Sequence, residues 1–266
     1  MVHVVIVSDS HLSRRAPLSG ANWDAVVAHV ADTRPELVVH AGDISLDGAS
    51  NDDDLVYARS HLDRLAVPWL SVPGNHDVGD ATSARSPLTD SRRERYSQVF
   101  GNGFWLRRIG GWNLVGVDCQ VLSAPVDDAE QRWAWLDAAL ASDGPTVLFQ
   151  HRPLLPISID EPDDAHRYVN EPFRSRLRAM VSTHRTAAIV SGHVHQWRCV
   201  PVDGVTHIWA PSTWAKIRDA RQPVIGHKVV GLVDLTLGES PQASLVTPQA
   251  MAQATVGETI PSPYPA

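Results

Sequence analysis

Apolar runs at residues 2–8, 37–42, 69–73, 146–150 and 187–191 recur along the chain and read as buried strands. Between them the spacing changes to that of helices. Trp23, Val26, Val27 and Val30 fall on one side of a helix expected over 22–33. Asn51 followed by Asp52, Asp53 and Asp54 suits a helix N-terminus, and that helix should run to about Leu65. Two more helices are expected around 130–141, carrying Trp133, Leu136 and Leu140, and near 171–182. Such alternation implies parallel strands joined by helical crossovers. The second half adds a hairpin, with strands at 104–106 and 112–117 parted by Gly110 and Gly111, and two further strand-like runs at 205–210 and 228–237. The pattern predicts one α/β domain over residues 1–250 with two layers of sheet. Residues 251–266, rich in proline at their end, are expected to form a loose tail or an extended arm.

Composition narrows the function classes. The chain has 266 residues and is 43% apolar, ordinary for a globular protein with a sizeable core. A formal charge of −7 argues against a surface for duplex nucleic acid. The close basic groups, Arg92 with Arg93 and Arg95, and Arg107 with Arg108, are expected on solvated faces of a helix and the hairpin. Cys119 and Cys199 alone offer neither a disulfide framework nor a cysteine zinc site. The chain enters a strand at once with no leader-like stretch, and no run reaches the ~20 apolar residues of a membrane helix. A cytoplasmic protein without a membrane span is expected.

Chemistry is concentrated where the apolar runs end. Asp9-Ser10-His11, Gly42-Asp43, Gly74-Asn75-His76-Asp77, His151 and Gly192-His193-Val194-His195 follow the five runs in turn. Ligands at the ends of successive buried strands converge on one rim of a sheet, where open α/β folds build their sites. The donors are the carboxylates of Asp9 and Asp43, the amide oxygen of Asn75 and the imidazoles of His11, His151, His193 and His195. Seven side chains are too many for one ion and suit two ions sharing a bridging ligand. Nitrogen and oxygen donors without thiolate fit Mn, Fe, Zn or Co. Two ions ~3.5–4 Å apart can acidify a shared water and clamp the oxygens of a phosphoryl displacement. Asp9 and His11, two apart as a strand runs out, should lie on one side of it. Gly42, Gly74 and Gly192 stand just before proposed ligands, where they permit tight turns.

This ordered set, Asp-x-His, Gly-Asp, Gly-Asn-His-Asp, His and Gly-His-x-His, resembles that of the calcineurin-like metallophosphoesterase superfamily and covers the chain from Asp9 to His195. The resemblance implies a four-layer α/β/β/α sandwich of two packed mixed β-sheets flanked by helices. It implies one metal on Asp9, His11, Asp43 and His195, a second on Asp43, Asn75, His151 and His193, and Asp43 as the bridge. His76 would orient the phosphate and protonate the leaving alkoxide. The Ser-Asp-Ser-His-Leu opening and Pro153 are most similar to bacterial class III cyclic-nucleotide phosphodiesterases and their glycerophosphodiesterase relatives, and the first motif disfavours the purple acid phosphatases. Many of those relatives carry a second histidine beside the ligand at this strand end, where this chain has Gln150-His151-Arg152-Pro153, a change expected to alter substrate contacts. The activity implied is hydrolysis of small phosphodiesters, 3',5'-cyclic nucleotides included, by a metal-bridging hydroxide. With the proline-rich tail and nine tryptophans, the resemblance also makes a homodimer the assembly to expect.

Two other readings stand beside it: a phosphomonoesterase or phosphoprotein phosphatase, and a metal-poor scaffold used for protein binding. Asp77 is expected to hold a turn or to orient His76. Arg14, Arg15 and Arg152 are expected at a solvated rim, and His40 in the core. The acidic stretch 156–170 is expected to overhang the site.

Overall fold

The computed structural model describes residues 1–124, 126–154 and 166–259. Its strands are β1 (Val2–Val7), β2 (Leu37–His40), β3 (Trp69–Ser71), β4 (Trp105–Ile109), β5 (Trp112–Gly116), β6 (Thr146–Phe149), β7 (Thr186–Ser191), β8 (Arg198–Val202), β9 (Val205–Trp209), β10 (Leu232–Leu237) and β11 (Pro241–Val246). Its helices are α1 (Pro17–Thr33), α2 (Asp52–Leu62), α3 (Asn75–Val78), α4 (Asp90–Phe100), α5 (Cys119–Leu122), α6 (Ala129–Leu140) and α7 (Phe173–Thr183). One sheet has the order β11-β10-β1-β2-β3 and the other β4-β5-β6-β7-β9-β8. In the first, β1, β2 and β3 are parallel and β10 and β11 antiparallel. In the second, β5, β6, β7 and β9 are parallel, with antiparallel β4 and β8 at the edges.

The runs are apolar throughout because both faces of each strand are covered. In β1, Val4 and Ile6 point between the sheets, where they meet Leu114, Phe149, Val190 and Ile208 of the second sheet. Val5 and Val7 point the other way, onto Trp23, Val26 and Val30 of α1 and Ala58 and Leu62 of α2. The second sheet repeats this: Leu148 and Ile189 turn outward onto Trp133 and Leu136 of α6 and Leu177 of α7. Helix, sheet, sheet and helix therefore form four layers, the expected sandwich. No helix among the described residues is long and apolar enough to cross a membrane.

Several boundaries depart from the sequence pattern. α1 begins at Pro17 rather than Asn22, because proline suits the first helical turn and Asn22 points inward to hydrogen-bond the Trp214 and Ala252 carbonyls at 3.0 and 3.2 Å. α2 starts as expected, with the Asn51 side chain accepting from the Asp53 N–H at 3.1 Å. β10 starts only at Leu232, since both backbone groups of Val230 are taken by the side-chain amide of Gln253. Edge strands β8 and β11 alternate between covered and exposed positions and so carry no apolar run. The chain is not loose directly after Met251. Residues 252–256 are hydrogen-bonded to Asn22, Val230 and Lys216, and the proline-rich end from Ile260 lies outside the described residues.

Candidate metal centre

The parallel strands β1, β2 and β3 of one sheet and β6 and β7 of the other end on the same rim, and the chain leaves each in a short loop. Two loops continue the strand pairing past the sheet: Asp9 N–H to Gly42 O at 3.0 Å, His11 N–H to Asp43 O at 3.1 Å and Leu12 N–H to Ile44 O at 2.8 Å. Asp9 and His11 do not share a side through strand alternation as the spacing suggested, because β1 has already ended at Val7. They are brought round by left-handed backbone, at φ 49° and 43°. Asp43, His193 and His195 also have positive φ, so five of the seven such non-glycine residues described belong to this rim. Strain of that kind persists only where surrounding contacts over-determine it, and it gathers at functional sites.

The three glycines act by making room. A Cβ at Gly42 would collide with the His151 ring, at Gly74 with the Asp43 carboxylate and backbone, and at Gly192 with Ser8 and Asp9. Only Gly42 also needs a glycine backbone, at φ 95°.

The side chains converge in overlapping groups that could hold metal ions: Asp9, His11 and His195; His11, Asp43 and His76; and Asp43, His151 and His193. His11 Nε2 and His195 Nε2 face each other at 3.3 Å, with Asp9 Oδ1 3.4 Å from the latter. Asp43 Oδ2 is 3.8 Å from His11 Nε2 and 3.2 Å from His151 Nε2, and His151 Nε2 is 3.2 Å from His193 Nδ1. Asp9, His11, Asp43, His151 and His195 are buried, whereas Asn75, His76 and His193 are partly open.

Backbone carbonyls decide which nitrogen four of the five rings present. His151 Nδ1 donates to Ala41 O at 2.8 Å, His195 Nδ1 to Ala215 O at 2.7 Å, His76 Nδ1 to Leu46 O at 2.7 Å and His193 Nε2 to His166 O at 2.7 Å. A carbonyl only accepts, so in each ring the proton sits on the outer nitrogen and the inner one faces the centre. Metal-binding histidines are characteristically braced in this way. Asn75 Oδ1 is buried with no hydrogen-bond partner among the described residues, an acceptor left without a donor there. Facing imidazole nitrogens, two carboxylates and an orphan amide oxygen fit cations, without thiolate.

Electrostatics follow from this crowding. Burial would raise the Asp9 carboxyl, but the His195 imidazole overrides it and holds Asp9 below the usual carboxylate range. Asp43 is likewise held well down, against burial, by His151. In return Asp43 outweighs burial at His151 and pushes it up to about 9, and Asp9 raises His195. His193 falls to about 3 through burial and the positive His151, and His11 falls well below its ordinary value through burial and His76. Protons on His151 and His195 thus offset the two carboxylates, in places where cations would displace them.

Asp77 stitches the loops together. Its carboxylate accepts from Ile44 N–H, Ser45 N–H and Oγ–H, and Gly74 N–H, at 2.6–3.1 Å. Arg152 is not at a solvated rim: it is buried and ion-paired with Asp80, tying the His151 loop to the segment after α3. Arg14 and Arg15 are exposed, the first over the Tyr57 ring and the second paired with Asp54. His40 is a core residue bonded to Ser10 Oγ at 2.8 Å. Most of the acidic stretch 156–170 lies outside the described residues. What sequence reasoning missed is the bracing set, Ala41, Leu46, His166 and Ala215, because they act through carbonyls that any residue supplies.

A family model for calcineurin-like phosphoesterases matches residues 2–197. The protein named "Probable glycerophosphodiester phosphodiesterase GpdQ" from Arcobacter nitrofigilis is 26% identical over 206 residues, covering 73% of this chain and 71% of its own length. A human serine/threonine-protein phosphatase is 26% identical over 177 residues, covering 61% of this chain and 54% of its own, so the chain spans about half of that relative. Among solved structures, a purple acid phosphatase from yellow lupin superposes with a TM-score of 0.67 at 15% identity, over 96% of this chain and 52% of that one. A dimetal phosphatase from Danio rerio does so with 0.59 at 15% identity, over 93% and 99%. At these identities the structural likeness is one of fold. With residues 2–197 matched and every gathered side chain inside that span, the chain belongs to the calcineurin-like phosphoesterase family.

Proposed function

We propose that the chain is a dinuclear metal-dependent phosphodiesterase acting on small phosphodiesters, with 3',5'-cyclic nucleotides among the candidates. The observation that carries this reading is Asp43, whose Oδ2 stands between the His11 and His151 nitrogens and belongs to two of the three converging groups. Asp9, His11, Asp43 and His195 would hold one ion, and Asp43, Asn75, His151 and His193 the other. Such a pair supplies Lewis acidity that turns water into a nucleophile near neutral pH and polarises phosphoryl oxygens.

The chain's own residues do the rest. Asn75, His76 and His193 are the partly open members, so the phosphate approaches on their side. His76 has its Nδ1 proton committed to Leu46 O, so it can protonate a leaving oxygen only from Nε2, in its cationic form. Diesters are favoured over monoesters because the glycerophosphodiesterase relative and a probable cyclic nucleotide phosphodiesterase from Synechococcus each match over 71% of their length, against 54% for the phosphatase. The competing reading, a phosphomonoesterase, rests on that phosphatase relative. The deciding experiment measures kcat/KM on a cyclic nucleotide, a glycerophosphodiester and matched monoesters after Mn2+ loading. Higher values on the monoesters overturn the diester assignment, and no stimulation by any of Mn, Fe, Zn or Co overturns the metal assignment.

A further inference from the structure

Residues 252–256 lie beyond the span that matches the family, yet they reach the support of the centre. The carbonyl that braces His195 belongs to Ala215, and the N–H of the same peptide unit belongs to Lys216. A peptide unit is rigid and planar, with its C=O and N–H pointing opposite ways. On one side that plane accepts the His195 Nδ1 proton at 2.7 Å, and on the other it donates to Ala254 O at 2.9 Å. Val256 N–H returns to Lys216 O at 2.8 Å, which closes a two-bond ladder across residue 216. Whatever holds Ala254 therefore holds the plane that aims His195.

Three further contacts hold that segment. Asn22, buried in α1, accepts from Ala252 N–H at 2.8 Å and donates to the carbonyls of both Ala252 and Trp214. The Gln253 side chain takes both backbone groups of Val230. The Val256 side chain is buried in a cluster with Ala16, Leu46, Trp214 and Ala215. Leu46 supplies the carbonyl that braces His76, and the Trp214 ring lies 5.0 Å from that of His11.

We propose that residues 252–256 are a positioning clamp for the metal centre, fixing the Ala215–Lys216 peptide plane and with it the direction of the His195 imidazole. The clamp rests on the reading of His195 as a metal ligand. Supports one shell out from a metal typically change its affinity 10–100-fold.

The test uses the full chain with Asn22→Ala, which leaves a good helix former in α1, and Val256→Ala, with Val256→Ile as the conservative rescue. Two quantities are read: exchange of the His195 Nδ1 proton by NMR in metal-free protein, and Mn2+ affinity by calorimetry. Both alanine variants should exchange that proton faster and bind one Mn2+ about tenfold more weakly, while Val256→Ile behaves as the parent. If the alanine variants melt earlier but keep the parent's His195 exchange and Mn2+ affinity, the segment is a structural prop and the clamp is overturned. If the parent binds no Mn2+ while the exchange still quickens in the variants, the clamp stands and the metal reading falls.

Discussion

The two sheets contribute unequally to the rim they share. Loops from the first sheet bring both carboxylates, Asp9 and Asp43, together with His11, Asn75 and His76. Loops from the second bring three imidazoles, His151, His193 and His195, and, among the described residues, no carboxylate to the converging groups. The halves meet as imidazole on carboxylate, His195 on Asp9 at 3.4 Å and His151 on Asp43 at 3.2 Å. Buried carboxylates without partners would be costly, and so would clustered imidazolium groups. Neither half of the centre is sound alone, so it exists only because the sheets stack. Below it the stacking is carried mainly by apolar side chains such as Ile6, Val39, Phe149 and Val190, with the indole N–H groups of Trp105 and Trp112 donating across to the Ser71 and Gly238 carbonyls.

The largest way to break this balance is at Asp43, where both halves meet. Asp43→Ala should lose both ions and nearly all turnover, whereas His11→Ala should chiefly weaken one ion and His151→Ala the other. Elemental analysis beside activity checks this, and equal, mild losses from all three would contradict the bridge.

A smaller effect separates proton donation from binding. His76→Ala should keep its metals and lose ~10²–10⁴-fold on alkyl or ribose diesters, where the leaving oxygen needs a proton. It should lose much less on nitrophenyl esters. The same factor on both would make His76 an orienting residue instead.

Gly42 sharpens the contact between the sheets themselves, since its missing Cβ is where the second sheet's His151 ring sits. Gly42→Ala should cost about 1–3 kcal/mol through its φ of 95°. It should also displace His151 and weaken the second ion. Urea unfolding with metal titration reads both, and full metal affinity would show that the ring can yield.

The smallest effect lies away from the rim, in the second sheet's outer layer. Asp118, buried beside a cavity of about 530 Å³ shared with Arg93 and Arg132, is pushed up by burial to about 6 from 3.8. Between those values the folded chain binds more protons than the unfolded one, so this group's contribution falls as pH rises through that window and stays lower above it. Asp118→Asn keeps a capping oxygen for the Gln120 and Val121 N–H groups and removes the ionisation. The variant should melt higher than the parent at pH 7 and equally at pH 4. A Tm difference independent of pH would show that Asp118 does not titrate in this range.

The core strands along the chain and the identity of the gathered side chains were legible in the residues. Both depend on local features: an apolar run needs only its own side chains to reveal burial on two faces, and a carboxylate or imidazole is itself the chemistry. Edge strands β8 and β11 were not legible, because half of each faces solvent and the run is broken. Arg152 was misplaced at the rim because its partner Asp80 is 72 residues away. The start of α1 was missed because Asn22, polar by type, is buried by a segment 230 residues along.

By itself, then, the sequence determined which atoms could bind and in what order the chain delivers them to one rim. Tertiary structure alone decided which nitrogen of His76, His151, His193 and His195 faces inward, because the carbonyls of Ala41, Leu46, His166 and Ala215 carry no side-chain signature. It also decided that five rim residues adopt left-handed backbone and that residues 252–256 brace the peptide behind His195. The reason is physical: a ligand's type is covalent and local, whereas its direction is set by hydrogen bonds to backbone from elsewhere in the chain.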